Sequence, residues 1–240
     1  MSVAVASAWL APDSDAVRNI EEALGTARIG VEIVGTIAFA VSAALLAGRR
    51  QMNLAGVIVF GTLVATGGGT IRDVLLGNLP VYWIEEPFNL LVAALAAAAT
   101  MLLARARTWA RVERYDVVGV FDAAGLALFT VVGTTVALDV GAGAASAVVI
   151  GVISGSGGGI LRDVIARRVP AAFASGHIYL TAAITGAALA VAVLETDIST
   201  TIGSALAVLY IFVLRLLAIH FNWGLPKFTV PADVMAPGED

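Results

Sequence analysis

The stretch ATGGGTIRDVLLGNLP, residues 65–80, places three glycines, an arginine and an aspartate inside an otherwise apolar segment. A closely similar stretch, GSGGGILRDVIARRVP, returns at residues 155–170. Residues 32–80 align with residues 122–170 without a gap, at a constant offset of 90 positions. The triple glycine, the Arg-Asp pair and the closing proline all recur in register, so the chain contains an internal repeat.

The composition is that of a membrane protein. Of the 240 residues, 59% are apolar and 13% are charged, against roughly 45–50% and 25% in soluble domains. The apolar residues form blocks long enough to cross a hydrocarbon core of about 30 Å. Seven candidate spans lie at residues 29–47, 54–76, 88–104, 117–138, 144–166, 177–194 and 201–219. The predicted fold class is therefore an all-α membrane protein with seven transmembrane helices.

The repeat also predicts how the chain is divided. Each repeat holds three spans and, because three is odd, the second repeat must lie inverted in the membrane relative to the first. We therefore predict an N-terminal extracytoplasmic segment (1–28), a first three-helix repeat (29–110), a second inverted three-helix repeat (115–196), a seventh transmembrane helix (200–220) and a cytoplasmic C-terminal tail (221–240).

The distribution of arginines predicts the orientation. Arginines cluster in alternate loops, at Arg49, Arg50, Arg105, Arg107, Arg111, Arg114, Arg167 and Arg168. Because loops rich in Lys and Arg stay in the cytoplasm, we expect a multi-pass cell-membrane protein with its N-terminus outside and its C-terminus inside. Aromatic residues near the ends of spans fit an interfacial aromatic belt, namely Tyr82, Trp83, Trp109, Tyr115 and Trp223. Arg215, near the inner end of the seventh span, is expected to snorkel to the interface.

Two spans each carry a glycine triplet near mid-depth. The triplets are Gly67, Gly68 and Gly69 in the second span and Gly157, Gly158 and Gly159 in the fifth. Glycine costs about 1 kcal/mol relative to alanine in a helix interior, so we expect a kink or a short unwound turn at each triplet. Thr66 and Ser156 directly precede the triplets and would lie at the constriction of a pore. Helix packing through the glycines is the alternative, which we favour less because the triplet is duplicated together with the charge pair.

Six charged residues within the predicted spans are candidates for the ion path or for ion pairs. They are Glu32, Arg72, Asp73, Asp122, Arg162 and Asp163. An ionisable residue in a span usually faces a partner or a water-filled cavity. Adjacent residues point about 100° apart on a helix, so we expect each arginine to pair with a charge on another span rather than with the aspartate beside it. Two roles stay open: a buried ion-pair network that pins the repeats together, and arginines that line an ion path.

Other classes of function are disfavoured by what the sequence lacks. It has no cysteine and no basic run of the kind that follows nucleic acid. No lysine follows the glycines in the spacing of a phosphate-binding loop, and no nucleophile–base pair or metal-ligand cluster stands out. We therefore expect no enzyme activity, no catalytic residue, no metal site, no cofactor and no nucleic-acid partner.

Five segments carry a resemblance to a known family. They are GTIAFAVSAALLA, GGGTIRDVLLG, FDAAGLALF, GVISGSGGGILRDV and LRLLAIHFNWGLP. These segments resemble prokaryotic members of the trimeric intracellular cation (TRIC) channel family, which is also labelled a glycine-transporter family of membrane proteins. The resemblance covers about residues 29–228, nearly the whole chain.

The resemblance implies a homotrimer in the lipid bilayer, in which each protomer has an hourglass pore between its inverted repeats. It also implies conduction of monovalent cations, potassium or sodium and chiefly potassium, through helices kinked at the glycine triplets. Glu32 stands where the family more usually has aspartate, which keeps the charge and lengthens the side chain. A secondary transporter of a small solute such as glycine is the alternative, because inverted repeats are also common in transporters.

Overall fold

Among the residues that the structure describes, all regular secondary structure is helical. The computed structural model describes residues 14–104, 116–174, 178–196 and 199–226, with side chains from residue 28 onward. The helices are α1 (Ser14–Arg49), α2 (Leu54–Leu76), α3 (Tyr82–Glu85), α4 (Phe88–Leu103), α5 (Val117–Asp139), α6 (Ala144–Ile165), α7 (Leu180–Leu194) and α8 (Thr200–His220). The predicted all-α class is confirmed.

Five of these helices are long and apolar enough to cross a membrane. They are the Arg28–Arg49 part of α1, together with α2, α5, α6 and α8. Helices α4 and α7 are apolar but have 16 and 15 residues, which is about 22–24 Å at 1.5 Å per residue. That length is short of a hydrocarbon core of about 30 Å. The chain is thus a multi-pass membrane protein, and spanning by α4 and α7 stays a prediction.

The boundaries of α2 show why the predicted spans agree with the helices. Asn53 precedes α2, and its side-chain oxygen accepts a hydrogen bond from the backbone N–H of Gly56 at 2.8 Å. The helix ends at Gly77, whose φ of 68° lies in the left-handed region that favours glycine. Both residues are ordinary helix-end signals, and the predicted span at 54–76 coincides with α2.

Some predicted features differ from the structure or lie outside it. Helix α1 begins at Ser14, so the predicted N-terminal segment (1–28) includes the first turns of a helix that continues into the first span. The predicted sixth span starts at residue 177, which is outside the described residues, and α7 starts at Leu180. The structure also leaves undescribed Arg105, Arg107, Trp109, Arg111, Arg114, Tyr115 and the tail after residue 226.

The first helices of the two repeats, α1 and α5, pack through reciprocal contacts. Phe129 of α5 lies against Gly35 of α1, and Phe39 of α1 lies against Gly125 of α5. The two phenyl rings stack with their centroids 5.7 Å apart. Because these residues correspond at the offset of 90, each contact is the counterpart of the other, as in a contact between two-fold related units.

The two glycine triplets meet where α2 packs against α6. A Cβ added at Gly68 would overlap the carbonyl oxygen of Ser154, and one added at Gly158 would lie 2.7 Å from the carbonyl oxygen of Val64. Backbone therefore packs on backbone, an approach that glycine permits because it has no Cβ. Since Val64 faces Gly158 while Gly68, further along α2, faces the earlier Ser154, the helices run antiparallel. We call this contact the glycine crossing.

The structure corrects the expected effect of the triplets on their helices. Both α2 and α6 remain helical through all three glycines, so the predicted short unwound turn is wrong. Helix packing, the alternative that we favoured less, accounts for the contacts at Gly68 and Gly158. The low helix propensity of glycine amounts to about 1 kcal/mol per residue, whereas an unpaired backbone group in a membrane costs several. A kink at the triplets stays a prediction.

Replacement of Gly68 by alanine is expected to destabilise the protein, because the new Cβ meets a backbone carbonyl that cannot rotate away. The expected loss is about 1–3 kcal/mol in the free energy of unfolding, measured as a lower thermal midpoint of the protein in detergent. Gly30→Ala is the control, since a Cβ at Gly30 meets nothing within 4 Å. Equal midpoints for the two variants would contradict the packing role.

Candidate functional site

The first buried charge cluster joins α1 to α2. Arg72 is fully buried, and its Nε donates to Oδ1 of Asp73 at 2.7 Å. Its Nη1 lies 3.4 Å from Oε1 of Glu32, and the same carboxylate oxygen lies 3.7 Å from Nε of Arg28. Glu32, Arg72 and Asp73 form the first charge cluster, and all three belong to the first repeat.

Asp73 also fixes the segment that follows α2. Its Oδ2 accepts a hydrogen bond from the backbone N–H of Tyr82 at 2.9 Å. The Tyr82 ring fills the space beside Gly69 that a Cβ would need, and its centroid lies 5.4 Å from the guanidinium carbon of Arg72, within cation–π range. Tyr82 is only 7% exposed. Its predicted place in an interfacial belt is wrong, because the bond to Asp73 turns this segment back onto α2.

The second buried charge cluster joins α5 to α6 in the same way. Nε of Arg162 donates to Oδ1 of Asp163 at 2.8 Å, and Nη1 donates to Oδ1 of Asp122 at 3.0 Å. Asp163 also accepts from the backbone N–H of Ala171 at 2.8 Å and from Nη2 of Arg168 at 2.6 Å. Asp122, Arg162 and Asp163 form the second charge cluster, which repeats the arrangement of the first.

Tyr179 and Arg215 complete the second charge cluster. The Tyr179 hydroxyl donates to Oδ1 of Asp122 at 3.3 Å, and it lies beside Gly159. The guanidinium of Arg215 lies 4.6 Å from the Tyr179 ring centroid, and its Nη1 donates to the carbonyl of Ile178 at 3.2 Å. Arg215 is 2% exposed. The expectation that it snorkels to the interface is wrong, because the ring and the carbonyl are partners inside the protein.

Each arginine pairs both with the aspartate beside it, which we did not expect, and with a carboxylate on another helix, which we did. Each arginine bonds the aspartate directly after it, although adjacent residues diverge on a helix. The separation of about 100° applies to the Cα–Cβ directions, and the long arginine side chain bends back far enough to bring its Nε beside the neighbouring carboxylate. The expected partners on other helices are present as well, since Glu32 lies beside Arg72 and Asp122 beside Arg162.

The ion pairs of these arginines stay within their own repeats, so they do not pin the two repeats to each other. A serine makes the link instead. The Oγ of Ser42, on α1, accepts from Nη1 of Arg162 at 2.6 Å and donates to the carbonyl of Val118 at 3.1 Å. Ser42 therefore joins the first repeat to the second charge cluster.

The two charge clusters lie on opposite sides of the glycine crossing. Arg72 follows its triplet along α2, and Arg162 follows its triplet along α6 by the same number of residues. Because the helices are antiparallel at the crossing, these two directions are opposite. The arrangement is a tight neck of backbone with a buried, paired arginine beyond each end.

Thr66 and Ser156 lie buried beside the glycine crossing. Thr66 Oγ1 donates to the carbonyl of Thr62 at 2.9 Å, and Ser156 Oγ donates to the carbonyl of Val152 at 2.6 Å. Both hydroxyls thus bond a carbonyl of their own helix, as serine and threonine commonly do inside helices. Their oxygen lone pairs stay available as acceptors, and their place at a pore constriction stays a prediction.

A cavity of about 260 Å³ borders the second charge cluster and includes Arg162, Arg49 and Arg168 in its lining. Arg49 ends α1, and Arg168 follows α6, so two of the predicted arginine-rich loops lie on the same side of the molecule. Arg28 and Asp139, at the other ends of the α1 span and of α5, lie 3.8 Å apart. The end of α1 at Arg49 therefore lies on one side of the molecule, and the ends at Arg28 and Asp139 lie on the other.

Sequence reasoning missed Ser42 and Arg215 as members of the site. Ser42 carried a detectable signal, because its counterpart at the offset of 90 is Val132, and such a difference between otherwise matching repeats marks a specialised position. Arg215 belongs to α8, outside both repeats, so the internal alignment held no information about it.

The fold and site define a class: an all-helical membrane protein of two related units, each with a buried Arg-Asp-carboxylate cluster beside a glycine triplet. The chain belongs to the family described as "Glycine transporter", whose model matches residues 30–105 and 119–195. The two matched segments correspond to the two repeats found in the sequence.

Several relatives share most of the chain. The inner membrane protein YadS of Escherichia coli K12, described as UPF0126, is 39% identical over 201 residues, covering 83% of this chain and 95% of that protein. The UPF0126 membrane protein YvgT of Bacillus subtilis is 31% identical over 203 residues, covering 82% and 94%.

Solved structures share the fold. The TRIC trimeric intracellular cation channel orthologue from Rhodobacter sphaeroides has a TM-score of 0.75 and 34% identity, covering 82% of this chain and 100% of that one. A structure described as the basis for conductance through TRIC cation channels has a TM-score of 0.74 and 29% identity, covering 84% and 97%. The resemblance to the TRIC family stated from the sequence is confirmed.

Asp163→Asn is expected to lower the free energy of unfolding by about 3–5 kcal/mol, the usual loss when one partner of a buried ion pair is removed. The carboxylate accepts from two arginines and a backbone N–H, and its neutralisation leaves Arg162 with Asp122 as its one paired carboxylate. The measurement is an SDS unfolding titration of the purified protein. Glu86→Gln, at an exposed carboxylate, should change stability by no more than about 0.5 kcal/mol; a similar loss in both variants would refute the structural role of Asp163.

Proposed function

We propose that the chain is a cation channel whose ion path runs between the two repeats and through the glycine crossing. The observation that carries the proposal is the pair of matched charge clusters, one beyond each end of the glycine crossing. The likeness to solved cation channels over more than four fifths of the chain supports it. In a passive path of this kind, polar groups beyond the neck replace part of the hydration shell of the ion.

The charge clusters suit cations in spite of their arginines. Arg72 and Arg162 are each paired with two carboxylates, one from their own helix and one from the preceding helix of their repeat. A further arginine lies near each cluster, but the side chains of Arg28 and Arg168 are 38% and 34% exposed, so water and salt screen their charges. The buried part of the first cluster has one more negative than positive charge, and this excess favours the entry of cations. In the second cluster, buried Arg215 brings the buried charges to balance.

We further propose that potassium is the preferred ion and that sodium also passes. The triplets Gly67–Gly69 and Gly157–Gly159 are the proposed gate, because an ion that crosses between α2 and α6 needs these closely packed backbones to separate. Kinking of the two helices at the triplets would produce that separation. Thr66 and Ser156, next to the triplets, are proposed to offer hydroxyl oxygens to the passing ion.

The proposed topology has seven spans, with α4 and α7 crossing a locally thinned bilayer or tilting little. The antiparallel α2 and α6 and the reciprocal contacts of α1 with α5 support inversion of the second repeat. The common side of Arg49 and Arg168 supports a cytoplasmic location for the arginine-rich loops. With an odd number of spans, the N-terminus then lies outside and the C-terminus inside.

The proposed assembly is a homotrimer, since the Rhodobacter sphaeroides relative is described as trimeric. The expected result is a protein mass of three chains for the detergent-solubilised protein, measured by light scattering with the detergent contribution subtracted. The mass of a single chain, in a detergent that preserves the thermal midpoint, would reject the trimer without affecting the proposed path inside each protomer.

Current across a planar bilayer is the direct test of the channel. With purified protein and a potassium chloride gradient, we expect discrete openings whose reversal potential lies close to the potassium equilibrium potential. Empty proteoliposomes are the control. A reversal potential close to that of chloride would contradict cation selectivity.

Glu32→Gln sharpens this test, because it removes the negative excess of the first charge cluster and leaves Arg72 paired with Asp73. The reversal potential should move toward zero, while the same change at exposed Glu86 should leave it in place. Absence of openings, together with accumulation of radiolabelled glycine in sealed proteoliposomes, would favour the alternative function of a secondary transporter.

A further inference from the structure

The two arginines that follow the glycine triplets are not held equally. Arg162 has three short bonds, to Asp163 at 2.8 Å, to Asp122 at 3.0 Å and to Ser42 at 2.6 Å. Arg72 has one short bond, to Asp73, and one long contact of 3.4 Å to Glu32. Nη2 of Arg72 has no hydrogen-bond partner among the described residues, although the side chain is fully buried.

The sequence explains this inequality. At the offset of 90 the counterpart of Ser42 is Val132, which has no atom that can accept a hydrogen bond. The proton of the Ser42 hydroxyl goes to the Val118 carbonyl, so the oxygen is held with its lone pairs free to receive Arg162. Val132 and Arg28 line the same apolar groove, and Arg28 lies 3.7 Å from Glu32. Because α1 and α5 contact each other reciprocally at the offset of 90, Val132 takes beside the first charge cluster the place that Ser42 takes beside the second.

Other polar groups around Arg72 have no partner on a charged residue. The buried hydroxyls of Thr36 and Tyr82 face each other without a short hydrogen bond, whereas the hydroxyl of Tyr179, which takes the place of Tyr82 in the second cluster, donates to Asp122. Buried polar groups without partners are uncommon and mark places where water enters or a side chain has a second position. The surroundings of Arg72 therefore offer its guanidinium alternative partners.

We propose that Ser42 is a positioning residue that holds Arg162 still, and that Arg72, opposite Val132, is the mobile arginine whose position sets the cation current. This inference rests on the proposed ion path between the repeats. In one position Arg72 bonds Asp73 and lies near Glu32. In the other, its Nη atoms turn toward the Thr36 and Tyr82 hydroxyls, which frees the carboxylates to face a cation. Few bonds oppose this movement at Arg72, and the bond to Ser42 opposes it at Arg162.

The test is an exchange of the hydroxyl between the two repeats. Val132→Thr is nearly isosteric and adds one acceptor beside Arg72, so the single-channel open probability should fall about fivefold, the effect of one additional net hydrogen bond in the closed position. Ser42→Ala should raise the open probability, and Ser42→Thr, which keeps the hydroxyl, should restore it. Val136→Thr, one turn further along α5 at another buried valine, is the matched control and should leave the current unchanged.

Thermal midpoints separate this inference from the proposed function, because they do not depend on conduction. Ser42→Ala should lower the midpoint by a few degrees, since it removes a partner of buried Arg162, and Val132→Thr should not lower it. Equal midpoints for Ser42→Ala and the wild type would refute the holding role of Ser42, even in a conducting protein. Wild-type-like currents in Val132→Thr would refute the mobile role of Arg72.

If Val132→Thr does not fold, Val132→Ser supplies the acceptor with less bulk, and the same two outcomes apply. A silent but stable wild type would reject the channel and, with it, the role of Arg72 in current, while a lowered midpoint in Ser42→Ala would still uphold the holding role of Ser42.

Discussion

The burial of a guanidinium inside a membrane is the constraint on which the rest of the structure depends. An arginine at the centre of a span costs at least about 2.5–3.5 kcal/mol, and this chain places Arg72 and Arg162 where neither reaches solvent. Each is compensated by two carboxylates. The aspartate beside each arginine also accepts a backbone N–H from the segment after its helix. The same carboxylate thus neutralises the arginine and shapes the chain that follows, and in the first repeat it brings Tyr82 back against the helix.

The glycines and the charges form one arrangement rather than two separate features. Absence of Cβ atoms lets α2 and α6 touch at Gly68 and Gly158, and this contact sets the distance between the helices that carry the arginines. The space on each side of the contact would otherwise be apolar, and the charge clusters make it polar. A small hydrated ion requires a neck that no side chain blocks. It also requires polar regions on both sides of that neck. In the proposed channel, this neck opens only when α2 and α6 separate at the triplets.

Local features of the sequence predicted the helices and the composition of the clusters. The length of apolar blocks and residues such as Asn53 and Gly77 fixed the ends of α2, and the offset of 90 identified the six charged residues. Features that depend on neighbouring elements were not predictable. Whether a glycine triplet unwinds or packs depends on what faces it, which for Gly68 is a backbone carbonyl. Tyr179 takes the place of Tyr82, but Ala172 stands at the exact offset, so the alignment could not pair the two tyrosines.

The presence of both repeats in one chain has a consequence for how the two sides of the membrane can differ. In an assembly of two identical three-helix chains, a residue placed beside one buried arginine is necessarily placed beside the other. A continuous chain removes that restriction, because codons 42 and 132 can change independently. In the proposed mechanism, a single hydroxyl present at one position and absent at the other makes the two ends of the path respond differently. Structural symmetry of the backbone is therefore compatible with a functional direction, and a handful of side chains can encode it.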